Sequence, residues 1–205
     1  MIDIIQTEQF SHWLHKLKEP LGKVGVLARI KRAQGGNFGD HKMLPNTGGI
    51  HEMRIFKGNG YRVYYAKQGE TLYLLLMIVK LLILIRLAPY GNKLRMTQRR
   101  IPMTKIRTSC FDVAEYLTDE TLIYAYLNEV LTDGSPSEFI QALNDVARAK
   151  GMNELAEKTG IRRESLYKTL QSKKPRFDTM LKIIDGMGLQ LTLVPKQESS
   201  QLEHL

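Results

Sequence analysis

Cysteine is nearly absent from this sequence, with Cys110 as the single example in 205 residues. An internal disulfide is therefore excluded, and a reducing compartment is expected. A secretory signal is not expected either, because Asp3 and Glu8 fall where such a signal is basic and then apolar. The five histidines show no zinc-ligand spacing with Cys110. We therefore expect a cytoplasmic protein with no cofactor and no metal.

Acidic residues are scarce in the first half of the chain. Residues 1–102 contain 17 Lys and Arg against 6 Asp and Glu, a net charge of +11, whereas residues 103–205 carry 13 against 15, a net charge of −2. A strongly basic surface favours a polyanionic partner, and nucleic acid is favoured over a membrane. The same asymmetry predicts that the two halves attract each other.

The stretch MNELAEKTGIRRESLYKTLQSKKP at 152–175 predicts two short helices around a tight turn. The first is predicted over Glu154–Lys158, with Asn153 as its N-cap, and the second over about 162–172. Gly160 supplies the turn, where a Cβ would be costly. A third helix is predicted from Asp178, followed by an apolar, strand-like end. The side chains predicted to face the core are Leu155, Ala156, Ile161, Leu166 and Leu170.

The other side of the second helix is polar and basic. This layout is typical of a helix-turn-helix, whose second helix presents side chains to the DNA major groove and which reads a palindrome as a homodimer. An ordinary surface helical hairpin is the alternative interpretation. The predicted groove-reading residues are Arg162, Arg163, Glu164, Ser165, Lys168 and Thr169, and the predicted phosphate contacts are Lys173, Lys174 and Arg176.

Residues 103–196 resemble the HigA-like antitoxins. The matching stretches are FDVAEYLTDETLIYAYLNEVL, FIQALNDVARAKGMNELAEKTGIRRESLYKTL and PRFDTMLKIIDGMGLQLTL. The resemblance implies an all-α, lambda-repressor/Cro-like helix-turn-helix domain. It also implies a protein that binds operator DNA, represses its own operon and neutralises a toxin partner.

The first half has a different pattern. IIQTEQFSHWLHKL predicts an amphipathic helix, and a second helix is predicted from about Leu21 to Ala33, before the loop GGNFGD. HKML, GIHEMRIFKG, YRVYYAK and TLYLLL then predict four strands, with a hairpin turn at residues 58–60. The fourth strand is apolar throughout, which is typical of a central strand.

This order of elements, with RIKRAQGGNFGDHKML, IHEMRI and GNGYRVYY, resembles the RelE/ParE superfamily of toxins in its HigB-like branch, over about residues 4–76. The resemblance implies an α+β domain in which two helices pack on a twisted antiparallel sheet. It also implies ribosome-dependent cleavage of messenger RNA.

Such cleavage by the RNA 2′-OH needs a proton acceptor, cations around the phosphate and a donor for the leaving oxygen. The predicted catalytic residues are Lys42, Arg54, Arg62 and Tyr64, with Tyr65 as an alternative to Tyr64 for stacking or proton donation. Arg29 and Arg32 are predicted to hold the RNA backbone. The alternative is that these are solvated residues of a sheet face.

From Met77 the chain departs from the toxin pattern, and residues 77–102 contain no acidic residue and show neither period. A membrane span over Leu72–Leu87 would be about 16 residues long with two charges inside, short of the roughly 20 required. An evolved linker would be polar or rich in Gly and Pro. We favour a frameshift that fused neighbouring toxin and antitoxin reading frames.

The predicted domains are 1–76, a truncated toxin-like domain; 77–102, the junction; 103–196, the antitoxin-like domain; and 197–205, a disordered tail. Three functions compete. The chain is a DNA-binding antitoxin whose toxin half is impaired, an active mRNA endonuclease restrained by its tethered antitoxin, or an interaction module whose halves dock in cis or in trans.

Overall fold

The computed structural model describes residues 2–45, 47–75, 107–172 and 174–193. These residues form two compact units, 1–149 and 150–205. The predictions for the junction 77–102 and for the tail 197–205 fall outside the described residues. None of the described helices has the length and apolar character needed to cross a bilayer.

The first unit is built on a six-stranded sheet with the order β2-β3-β4-β5-β1-β6. Neighbouring strands are antiparallel except β1 and β5, which are parallel. The four predicted strands are confirmed, and β5 is central as expected. The strands are β1 Asp3–Thr7, β2 His41–Met43, β3 Ile50–Ile55, β4 Tyr61–Gln68, β5 Thr71–Leu75 and β6 Thr108–Cys110.

The predicted helix over residues 4–17 is wrong in its first turn. Asp3–Thr7 is strand β1, and helix α1 begins only at Glu8 and runs to Lys16. Ile4 and Gln6 are 5% and 1% exposed, since β1 lies between β5 and β6 and its alternate side chains reach a buried face. Thr7 then ends the strand and caps α1, because its hydroxyl accepts a hydrogen bond from the Phe10 backbone N–H.

Helix α2, Pro20–Gln34, agrees closely with its predicted range and has proline in its first turn, where the missing N–H is harmless. Two glycines let it approach the sheet. A Cβ at Gly25 would lie 2.9 Å from Ile55 Cγ2, and one at Gly22 would overlap the Tyr61 ring. Because of this close approach, α2 covers the sheet face that carries Ile55 and Tyr61.

A further helical layer packs on α2. Helix α3, Glu120–Asp133, makes this contact; a 3-10 helix at Val113–Tyr116 precedes it and helix α4 at Pro136–Lys150 follows it. The sequence resemblance starts the second domain at residue 103, whereas residues 107–149 belong to the first unit. The physical reason is that β6 pairs with β1 and α3 packs on α2.

The second unit contains α5 Met152–Thr159, α6 Arg163–Gln171 and α7 Phe177–Gly186. The turn at Gly160 is confirmed by its positive φ of 66°. The predicted cap Asn153 is wrong, because α5 begins at Met152, two residues before the predicted Glu154, with Gly151 at the N-cap position. Residues 189–193 are neither helix nor strand, so the expected strand-like end is absent from the described residues.

Candidate functional site

The strand register brings the four predicted catalytic residues onto one sheet face. Lys42 on β2 is opposite Glu52 on β3, which is opposite Tyr64 on β4, and Arg54 is opposite Arg62. Cross-strand partners point to the same side of a sheet, and residues two apart in a strand share that side. This set therefore lies on the face away from α2, and we call it the outer sheet site.

Glu52 is the centre of the outer sheet site and was missed in the sequence. It is 6% exposed, and its carboxylate lies 3.0 Å from Arg54 Nε and 3.7 Å from Arg62 Nε. Burial raises the pKa of Glu52, but hydrogen bonds from Arg54 and Tyr64, with the charges of Arg62 and Lys42, outweigh it and lower the pKa overall. Glu52 is therefore ionised at neutral pH. An acidic residue two positions before a predicted catalytic arginine was the signal that could have found it.

Tyr64 adds a phenol to this arrangement. Burial first, and then the Glu52 carboxylate, raise the pKa of Tyr64, so its hydroxyl keeps its proton at neutral pH. The Arg62 side chain is 61% exposed and Lys42 is also exposed, which leaves both cations accessible. The outer sheet site thus combines a carboxylate that can accept a proton, a phenol that can donate one and cations suited to a phosphate.

Arg29 and Arg32 do not join this set, since both lie on α2, which covers the other sheet face. Arg29 NH1 donates to the Phe38 carbonyl oxygen at 3.1 Å. Arg32 Nε and NH2 are buried and have no acceptor in the described part of the chain.

Tyr65 also lies on the α2 side of the sheet. It is 2% exposed, and its ring stacks on Phe38 and His51 at centroid distances of 5.5 and 5.0 Å. Burial raises the pKa of Tyr65 to about 12. Of the two tyrosines considered, only Tyr64 therefore stands beside the predicted cations.

Helix α6 has the two-sided character predicted from its sequence. Leu166 and Leu170 are 0% and 2% exposed, whereas the predicted DNA-contacting side is at the surface. The Arg163 guanidinium lies 5.6 Å from the centroid of the Tyr167 ring, within cation–π distance. The exposed members of the predicted set are Arg162, Arg163, Glu164, Ser165 and Lys168, and Thr169 is half-buried.

Further basic residues follow the end of α6. Lys174 and Arg176 are exposed, and Arg176 Nε donates to Asp178 Oδ1 at 3.3 Å. Lys173, the remaining predicted phosphate contact, lies outside the described residues. The exposed basic residues at the start of α6, on it and after it are called the α6 surface below: Arg162, Arg163, Lys168, Lys174 and Arg176.

Comparison with known proteins places the second half in a family. Residues 107–195 match the family model described as a probable addiction module antidote protein. The chain belongs to this family through that region. Two uncharacterized proteins of Haemophilus influenzae are similar to it. One is 44% identical over 81 residues, covering 39% of this chain and 84% of the relative, and the other is 49% identical over 75 residues, covering 37% and 74%. No solved structure matches significantly.

The antidote region, residues 107–195, begins inside the first unit and continues through the second. The family supports an antitoxin role for this region and suggests a toxin as its partner. Within the first unit, residues 107–149 contact the strands and helices of residues 2–75 through charges of opposite sign. Lys57 Nζ lies 3.1 Å from a Glu129 carboxylate oxygen and 3.3 Å from one of Asp133.

Asp145 is the most deeply buried charge in this contact. It is 0% exposed, and its carboxylate accepts hydrogen bonds from Lys31 Nζ at 3.1 Å, Tyr126 Oη at 3.1 Å and Arg148 NH2 at 2.9 Å. Arg148 also binds Asp112 through both terminal nitrogens. Sequence reasoning predicted attraction between the halves from net charge, but it did not identify these partners.

Proposed function

We propose that the chain is a toxin–antitoxin fusion whose antidote region binds operator DNA and represses transcription. The observation that carries this proposal is the α6 surface, a basic, exposed helix face directly opposite the buried Leu166 and Leu170. Residues 2–75 form a domain of the RelE/ParE type, impaired as an enzyme by the altered sequence after Leu76.

In this proposal, α6 enters the major groove as the second helix of a helix-turn-helix. Arg163 and Lys168 reach base edges, while Lys174 and Arg176 bind phosphates and set the register. The cation–π contact of Arg163 with Tyr167 supports its role, because it favours one direction of the guanidinium and so reduces the freedom lost on binding. A homodimer supplies two such helices to a palindromic operator.

The double substitution Arg163→Ala and Lys168→Ala is expected to abolish binding to the upstream region of the gene. Each lost base contact costs about 1–3 kcal/mol, so the dissociation constant should rise by roughly 100-fold or more for the pair. Electrophoretic mobility shift with specific and random DNA measures the change.

The matched control for Lys168→Ala is Lys182→Ala, which removes one charge from an exposed position of α7 in the same unit. It should leave specific binding nearly unchanged. Equal mobility shifts for the double variant and the wild-type chain would rule out a groove-reading role for α6.

An active mRNA endonuclease is the second candidate, and the outer sheet site favours it. In that case the Glu52 carboxylate would take the proton of the RNA 2′-OH, Arg54 and Arg62 would stabilise the phosphate, and Tyr64 would protonate the leaving oxygen. Arg29 and Arg32 lie on α2, on the other side of the sheet, and take no part in this chemistry. Within the first unit, α3 packs on α2, on the opposite side of the sheet from this site.

We expect the full chain to have little or no toxin activity. The RelE/ParE toxins that the first half resembles continue with a polar strand end, and residues 77–87 of this chain stand in its place. Residues 77–87 lie outside the described residues. General acid–base catalysis contributes about 10²–10⁴-fold and depends on geometry first. Toxin activity is measured by inducing expression of the chain, following growth, and mapping messenger RNA cleavage by primer extension. Strong growth arrest by the full chain would favour the active enzyme, provided that Arg62→Ala abolishes the arrest and the exposed control Lys67→Ala leaves it unchanged.

A further inference from the structure

Residues 107–117 contact the first half of the chain through a strand and the 3-10 helix that follows it. Their strand β6 pairs antiparallel with the edge of β1, with Ile5 opposite Cys110 and Thr7 opposite Thr108. Main-chain bonds extend this ladder at both ends. The Glu8 N–H donates to the Arg107 carbonyl at 3.0 Å, and the Phe111 N–H donates to the Ile4 carbonyl at 2.9 Å. The segment therefore closes the sheet edge that β1 would otherwise expose.

Tyr116 anchors the end of this segment. It is 0% exposed, and its hydroxyl donates to Gln6 Oε1 and lies 3.1 Å from Ser11 Oγ. Its ring lies 4.4 Å from the His15 ring, and Phe111 stacks on it at 5.5 Å. One aromatic side chain of the segment thus fills a site built by β1 and α1.

Gln6 is matched to the segment at both ends of its amide. It is only 1% exposed; its Oε1 accepts from Tyr116 and its Nε2 donates to Ser109 Oγ at 3.4 Å. A buried amide that loses its partners costs free energy, so this glutamine discriminates in favour of a chain that brings both hydroxyl groups. Main-chain pairing with side-chain pockets is the mode by which sheet edges bind linear peptides.

We propose that the β1 edge, with Gln6 and the Tyr116 site of α1, is a recognition site for the linear motif 107–117, and that a second copy of this chain can supply the motif in trans. The proposal rests on the antidote function proposed above, and it names the element by which the antidote region holds a toxin-type domain. The tethered motif normally fills the site, because tethering gives it an effective concentration of about a millimolar. Weakening the tethered motif opens the site to the motif of another copy.

The test uses the full-length chain carrying Tyr116→Ala and a fluorescently labelled peptide, RTSCFDVAEYLT, under reducing conditions. Fluorescence anisotropy should show peptide binding to this variant and roughly 100-fold weaker binding to the wild-type chain, whose own motif competes. A peptide carrying the same Tyr116→Ala change should not bind the variant chain.

Two further variants identify the site. Adding Gln6→Ala to the Tyr116→Ala chain should abolish peptide binding, because the amide partner of the motif is gone. Adding Asn128→Ala instead removes an exposed amide whose bond is to its own helix, at the Tyr124 carbonyl, and should leave peptide binding unchanged. Equal effects of the two additions would overturn the assignment of the site.

A Tyr116→Ala chain with wild-type helix content by circular dichroism that binds the peptide no better than the wild-type chain would overturn the proposal. If that chain does not fold, Tyr116→Phe keeps the ring and loses only the hydroxyl. It should bind the peptide with intermediate affinity, and binding no stronger than that of the wild-type chain would count against the motif. Operator binding measured on the same proteins reports on α6 separately, so failure of the DNA-binding function is distinguishable from failure of this site.

Discussion

Asp145→Ala is expected to lower the free energy of unfolding of the first unit by about 3–5 kcal/mol. The carboxylate is 0% exposed and accepts from Lys31, Tyr126 and Arg148. Its removal leaves the Lys31 side chain, only 16% exposed, as a charge without its carboxylate in a largely buried contact. Urea unfolding followed by circular dichroism measures the loss.

The control is Asp133→Ala, which breaks a pair with Lys57 but starts from a side chain that is 44% exposed. Such a surface pair is worth less than about 1 kcal/mol. The double variant Lys31→Met with Asp145→Leu should recover part of the loss, because removing both charges leaves no uncompensated cation at Lys31. A loss for Asp145→Ala as small as that for Asp133→Ala would show that Asp145 does not hold the two halves together.

Leu166→Ala is expected to cost about 2–5 kcal/mol and to unfold most of the second unit. Leu166 on α6 is 0% exposed, and a cavity there adds to the lost transfer free energy. A unit of this size has little stability in reserve. Hydrogen exchange should therefore show lost protection across α5, α6 and α7, with operator binding lost in parallel.

The amides of β3 and β4 should keep their protection in this variant, because they belong to the other compact unit. The control Leu181→Ala changes a leucine on α7 that is 39% exposed, so it should cost well under the Leu166 value and leave DNA binding intact. Loss of protection in β3 and β4 together with α6 would show that the two units unfold as one.

The local patterns of the chain were sufficient for much of the fold. Leucines spaced along α6 predicted its buried side, and the glycine at 160 predicted the left-handed turn before it. The β3–β4 hairpin followed from alternation and from the turn at residues 58–60, and its register then placed Arg54 opposite Arg62. These features depend on residues close together in sequence, where periodicity and turn chemistry act directly.

Other features follow from contacts between residues far apart in sequence. Residues 4–7 have an apolar spacing compatible with a helix, and they are a strand because β5 and β6 supply hydrogen-bonding partners on both sides. Glu52 is ordinary in sequence and becomes the centre of the outer sheet site only when β2 and β4 bring Lys42 and Tyr64 beside it.

By itself, the sequence determined the helices of the antidote region, the central strands and the basic character of the outer sheet site and the α6 surface. Only the tertiary structure decided that residues 107–149 pack with the first half, through β6 on β1 and Asp145 beside Lys31. The physical reason is that a buried carboxylate needs hydrogen-bonding or charged partners and a sheet edge needs a pairing strand, and these partners come from residues far apart in sequence. Such a choice has no periodicity to reveal it in the sequence.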